Sequence, residues 1–138
     1  MRRAGAEGSV TTELVLLTPV LLLLLGFVVL AGRVGEVQQQ VLAAADEGAR
    51  AASLRADAAA GRAAATARIQ DNLADAGVTC AGLTVAVDTS SFHRGGRVGV
   101  TVRCSIGLGD VAFAGLPGSR SYEATAVEVI DTYRGGGP

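Results

Sequence analysis

The chain of 138 residues reads as an α+β protein. Its expected parts are a long N-terminal transmembrane and then amphipathic helix, a second short helix, and a small antiparallel β-sheet of about three strands with one disulfide. Three observations carry that reading. Leu14 to Gly32 is a run of nineteen residues without a charge, nine of them leucine. From about Val78 the spacing of apolar residues changes from a period of 3.6 to a period of 2. The two cysteines, Cys80 and Cys104, lie at the first pair of strands so defined.

The apolar run spans roughly 28 Å as a helix, close to the hydrocarbon thickness of a bilayer. Pro19 and Gly26 interrupt it, but lipid offers the backbone no other partners, so a membrane helix tolerates them. The alternative, a buried core helix of a soluble protein, needs a remainder large enough to cover it. That remainder is Ala- and Gly-rich, and the chain has three Phe, two Tyr and no Trp. Arg2, Arg3 and the terminal amine precede the run, whereas Arg33 follows it and is soon offset by Glu36. The positive excess predicts a cytoplasmic N-terminus, with residues after about Arg33 outside the cytoplasm, where disulfides form and persist. A formal net charge of −1 gives no basic field for nucleic acid.

Beyond Arg33, Val34, Val37, Val41, Ala45, Ala49 and Ala52 recur at steps of three and four. They predict that the helix continues to about Leu54 with a narrow apolar stripe. The organisation expected is a leader over 1–8, a transmembrane helix over 9–32, an amphipathic stem over 33–56, and an extracytoplasmic domain over 57–138. Asp57 is a candidate N-cap, a second helix is expected over 61–76, and Gly77 stands where a C′ glycine belongs. Leu83, Val85 and Val87 alternate with Thr84, Ala86 and Asp88, as do Val98, Val100, Val102, Cys104 and Ile106 with the residues between them. These predict strands near 83–88 and 97–106 joined by the turn TSSFHRGG (Thr89 to Gly96). Pairing Val85 with Val100 puts both apolar sets on one face and Cys104 opposite Ala81, so a bend at Gly82 brings the thiols of Cys80 and Cys104 together. The alternatives are two free thiols or a metal pair, and no second pair of ligands completes a metal site. A third strand is expected near 121–130, with a bulge or two-sided burial where its alternation slips at Ala126-Val127.

Catalytic chemistry finds no footing. The single histidine, His93, sits in a turn with no carboxylate or nucleophile placed beside it. Gly107 to Ala112 (GLGDVA) fits a relaxed dinucleotide pattern, but no helix follows it. Arg50, Arg55, Arg62 and Arg68 alternate with Asp46, Glu47, Asp57 and Asp71, which predicts a solvated mixed-charge face. The reading is therefore a non-enzymatic chain with no catalytic residue, no cofactor and no metal.

The N-terminal residues carry the functional signal. The leader MRRAGAEG ends in Gly8, then Ser9-Val-Thr-Thr-Glu13 precedes the apolar run. This resembles the class III signal of type IV pilin-like proteins, which a membrane prepilin peptidase cuts after the glycine. Cleavage between Gly8 and Ser9 would make Glu13 the fifth residue of the mature chain, where pilins carry glutamate. There the resemblance implies a docking role, the carboxylate pairing with the N-terminal amine of a neighbouring subunit. A carboxylate within lipid needs such a partner; the alternative is that Glu13 simply sits in the headgroup layer. The longer stretch GSVTTELVLLTPVLLLLLGF, the Ala31-Gly32-Arg33 that ends the run, the stem VQQQVLAAADEGARAAS and the closing YEATAVEVIDTYR are similar to TadE-like proteins. These are minor pseudopilins of tight-adherence (Tad/Flp) pilus systems. The chain departs from the pattern in having no aromatic just before Gly32-Arg33, which leaves TadE and TadF relatives both open. The resemblance implies a single-pass membrane subunit that assembles through its N-terminal helix. Its partners would be the membrane, a prepilin peptidase, other pilin or pseudopilin subunits and the Tad assembly platform. Two other readings compete: a secreted binding module whose signal peptide is cut after Ala31, and an unprocessed single-pass anchored protein.

Overall fold

A computed structural model describes residues 7–107 and 118–133. The elements in chain order are α1 (Glu7–Ser53), α2 (Ala58–Asp75), β1 (Gly82–Asp88), β2 (Arg97–Gly107) and β3 (Ser119–Val129). The three strands form one antiparallel sheet in the order β1-β2-β3. The chain divides into two compact units, Met1–Val34 and Gly35–Pro138.

In the second unit the stem part of α1 packs by its small residues. Val41, Ala44, Ala45, Ala49 and Ala52 are buried, four of them on the stripe expected from the spacing. Val37 is half-buried, and the side chain of Val34 lies outside the described residues. Facing them, α2 buries Gly61, Ala65, Ile69 and Leu73 at successive steps of four. The helices approach closely at Gly48, where an added Cβ would lie 2.7 Å from Cδ1 and Cγ1 of Ile69. Arg68 Nη2 and Glu47 Oε2, 3.2 Å apart, pair across the same two helices at the surface.

Asp57 caps α2, its Oδ1 accepting the Ala60 N–H at 2.8 Å. The helix therefore begins at Ala58 rather than at Gly61, whose own N–H already bonds the Asp57 carbonyl at 2.9 Å. At the other end Val78 N–H bonds Leu73 O and Gly77 N–H bonds Ala74 O, the paired contacts of a Schellman motif. Gly77 has φ +70°, a conformation in which a Cβ is strained.

The sheet corrects two expectations. Val85 pairs with Val102 and Val87 with Val100, a shift of two residues from the expected register, and Cys104 faces Leu83 rather than Ala81. A shift of two preserves the faces, so period-2 alternation is blind to it. The turn makes the choice: Gly96 N–H bonds His93 O and Arg97 N–H bonds Ser91 O, drawing β2 back on the loop, while Asp88 Oδ1 accepts the Ser90 N–H at 2.9 Å. The second correction concerns β3, which runs unbroken from Ser119↔Gly107 to Val129↔Arg97 without a bulge. Two residues face one on the other strand instead: Gly95 N–H and Gly96 O both bond Ile130. Val127 and Val129 are exposed on the outward face rather than buried on a second one.

Val98, Val100, Val102, Cys104 and Ile106 of β2 and Tyr122, Ala124 and Ala126 of β3 form the buried face. The outward face is polar and paired directly across β2 and β3. Thr101 and Thr125 hydroxyls are 3.0 Å apart, those of Ser105 and Ser121 are 3.1 Å apart, and Arg103 is ion-paired with Glu123. These are the non-hydrogen-bonded pairs of the β2–β3 ladder, where side chains come closest.

The disulfide Cys80–Cys104 is present, with its Cα atoms 5.4 Å apart. Cys104 is fully buried at the centre of the sheet and Cys80 is half-buried beyond the start of β1. The Ala81 N–H bonds the Ser105 carbonyl at 2.7 Å. That contact carries the chain past the end of the ladder and holds Cys80 over Cys104 despite the shifted register.

Candidate functional site

The N-terminal unit contains the residues singled out for function. α1 starts at Glu7, so Gly8 and Ser9 lie in its first turn, while the leader residues up to Ala6 lie outside the described residues. Glu13 is exposed on this helix, and no described residue bonds or pairs with it. Beyond it every large apolar side chain from Leu14 to Leu30 is at least 43% exposed, up to 75% at Leu23. These side chains point in all directions around the helix. The segment is long and apolar enough to cross a membrane, and covering that surface with lipid or with other apolar helices removes it from water.

Pro19 lies inside α1 without ending it. Proline gives no N–H to the carbonyl four residues back and crowds the preceding turn. The Thr18 hydroxyl donates to the Leu14 carbonyl at 2.7 Å, one turn before the proline. The carbonyl that Pro19 leaves without an N–H is that of Val15, so this bond does not replace the missing one.

The other candidates separate. His93 is an exposed turn residue whose Nδ1 lies 3.1 Å from the Arg94 carbonyl oxygen. Among the described residues no group of three His, Cys, Asp or Glu is placed to hold a metal ion. Most of GLGDVA lies outside the described residues. The groove beside the disulfide, lined by Leu73, Ala74, Val78, Cys80 and Leu83, has Gln70 and Thr79 as its polar side chains. Arg50, Arg55, Arg62, Arg68, Asp46, Asp57 and Asp71 are exposed, and Glu47 half-buried, on the surface of the two helices. Sequence reading missed Gln38, whose Nε2 donates to the Glu123 carbonyl on β3 at 3.1 Å. A glutamine on a stem carries no local mark of a contact 85 residues away.

No curated protein and no solved structure matches the chain at a significant level. A protein-family model does, and it covers the apolar run, Glu13 and the buried stripe of the stem as far as Ala49; Ala52, α2 and the sheet lie beyond it. Residues 8–50 match the family described as TadE-like protein, consistent with a TadE-like protein of the Tad pilus system.

Proposed function

We propose that the chain is a pilin-like membrane subunit of a Tad/Flp pilus or related secretion apparatus, assembled through its N-terminal helix after cleavage between Gly8 and Ser9. The observation that carries this reading is a carboxylate, Glu13, at the head of a helix whose apolar surface is uncovered all round, within a stretch that matches the TadE-like family. The apolar helix holds the subunit in the membrane until it packs beside other pilin helices. Removal of Met1 to Gly8 takes away Arg2 and Arg3, charges that resist movement out of the bilayer. It also creates an amine at Ser9, and a cation at that depth gives Glu13 of a neighbouring subunit its partner. The N-terminus is cytoplasmic and the disulfide-braced sheet lies outside, where it is available to initiate, cap or adhere. A prepilin peptidase, other pilin or pseudopilin subunits and the assembly platform are the partners this requires.

The test is the intact mass and N-terminal sequence of the mature protein from its native membrane. A start at Ser9 that disappears without the prepilin peptidase is expected. A start at Gly32 would make the chain a secreted module, and an uncut chain would make it a plain anchor. Glu13→Ala is expected to abolish or strongly reduce pilus assembly while leaving the protein in the membrane. Normal piliation in that variant would remove the role given to Glu13.

A further inference from the structure

β3 is an edge strand, and the phase of its hydrogen bonds decides what its free side offers. Ile130 N–H bonds the Gly96 carbonyl at 2.9 Å. Counted back along the register, even-numbered residues of β3 direct their backbone groups at β2 and odd-numbered residues direct theirs away. The Glu123 carbonyl belongs to the odd set, and its bond from Gln38 agrees with that phase and closes the free side at this point. Downstream, Thr125, Val127 and Val129 turn backbone donors and acceptors outward, and no described residue bonds them there. Val127 and Val129 are 58% and 69% exposed. The strand contains neither proline nor lysine and has no bulge, devices that commonly keep an edge from pairing.

We propose that this free side pairs with β3 of a second copy of the chain, antiparallel and centred on Val127. The register is self-complementary: Val127 meets the partner's Val127, Thr125 meets the partner's Val129, and Glu128 meets the partner's Ala126. No two like charges are directly opposed. Extending the pairing to Glu123 would set it against the partner's Asp131, so charge confines the contact to the stretch that Gln38 leaves open.

The pleat excludes one rival. Joining odd residues of β3 to odd residues of the partner's β3 keeps both polar faces on one side of the six-stranded sheet and both buried faces on the other. The free side of β1 is made by Leu83, Val85 and Val87, whose side chains belong to the buried face. An antiparallel join of β3 to that strand would turn one copy's core face towards solvent. A parallel join to β1 keeps the faces but has the slightly less stable hydrogen-bond pattern, and it is the head-to-tail outcome of the test. The pairing goes beyond the proposed function and requires neither leader cleavage nor Glu13.

The experiment is oxidative cross-linking of the full-length chain purified in detergent, with native disulfide formation checked by mass. Val127→Cys is expected to give a disulfide-linked dimer, because facing Cα atoms in a hydrogen-bonded pair are about 5.5 Å apart. Thr125→Cys and Val129→Cys are each expected to stay monomeric alone, since like positions lie about 14 Å apart. A mixture of those two chains is expected to cross-link. Adding Val129→Pro to Val127→Cys should abolish its dimer while sparing the β2 ladder, because that N–H points outward. Two results overturn the proposal: a folded Val127→Cys chain that remains monomeric, or one that cross-links only when mixed with Ala86→Cys on β1.

Discussion

Cys80→Ala removes the covalent tie of the sheet unit with little other disturbance. Cys80 is half-buried, and the thiol left at Cys104, fully buried, packs there as a small apolar group. The bond joins residues 24 apart in sequence. For a closed loop of that size the chain-entropy relation gives about 12 cal/mol/K, or about 3.5 kcal/mol at 25 °C. The loop is the β1–β2 hairpin itself, and residual pairing in the unfolded chain would lower that figure. Units of about 100 residues commonly have only roughly 5–15 kcal/mol of stability. This one has a core built chiefly from alanine and valine, so the loss is a large share. It corresponds to a melting temperature lower by roughly 15 °C. The assay is thermal unfolding of the full-length chain in detergent, followed by circular dichroism, for the oxidised protein, Cys80→Ala and the reduced protein. The two thiol forms should melt together, well below the oxidised one. A fall of less than about 3 °C would refute the reasoning, because the ladder alone would then hold residues 80 and 104 together in both states.

Other perturbations test the packing and the turn. Ile69→Ala empties the site against Gly48 and is expected to cost about 2–5 kcal/mol, read as a lower denaturation midpoint at unchanged slope. Gly77→Ala puts a Cβ at positive φ and should cost about 1–2 kcal/mol in the same experiment. The Asp88 carboxyl is held below its ordinary value of 3.8 by the Ser90 backbone N–H and then the Ser90 side chain. Its contribution is therefore present above the unfolded-state value and is lost as pH falls through the lower folded one. The Ser90 amide resonance should titrate with a midpoint below 3.8, and a midpoint at or above that value would contradict the bond.

Much of this architecture is legible without coordinates. The charge-free run needs no tertiary partner to be recognised, because its length and composition alone mark a segment able to cross a bilayer. The stem stripe at Val41, Ala45, Ala49 and Ala52, the cap at Asp57 and the stop at Gly77 are local signals. Local backbone geometry decides such features, and neighbouring residues carry it. The roles proposed for Gly8, Ser9 and Glu13 rest on their spacing from one another and from the apolar run.

What the tertiary structure decided is everything in which two distant segments had to be aligned. Alternation assigned Val85, Val87, Val100 and Val102 to one face, but a shift of two residues leaves that face unchanged, so the turn bonds at Ser91, His93 and Gly96 had to choose the register. The expected bulge moved from Ala126-Val127 to Gly95-Gly96 for the same reason, since a mismatch belongs to a pair of strands and not to either alone. Gln38 on Glu123, Gly48 against Ile69 and the open side of β3 from Thr125 to Val129 depend on where separate elements meet. Side-chain periodicity fixes the direction each residue faces within its own element; the partner it meets there is set only when the elements pack.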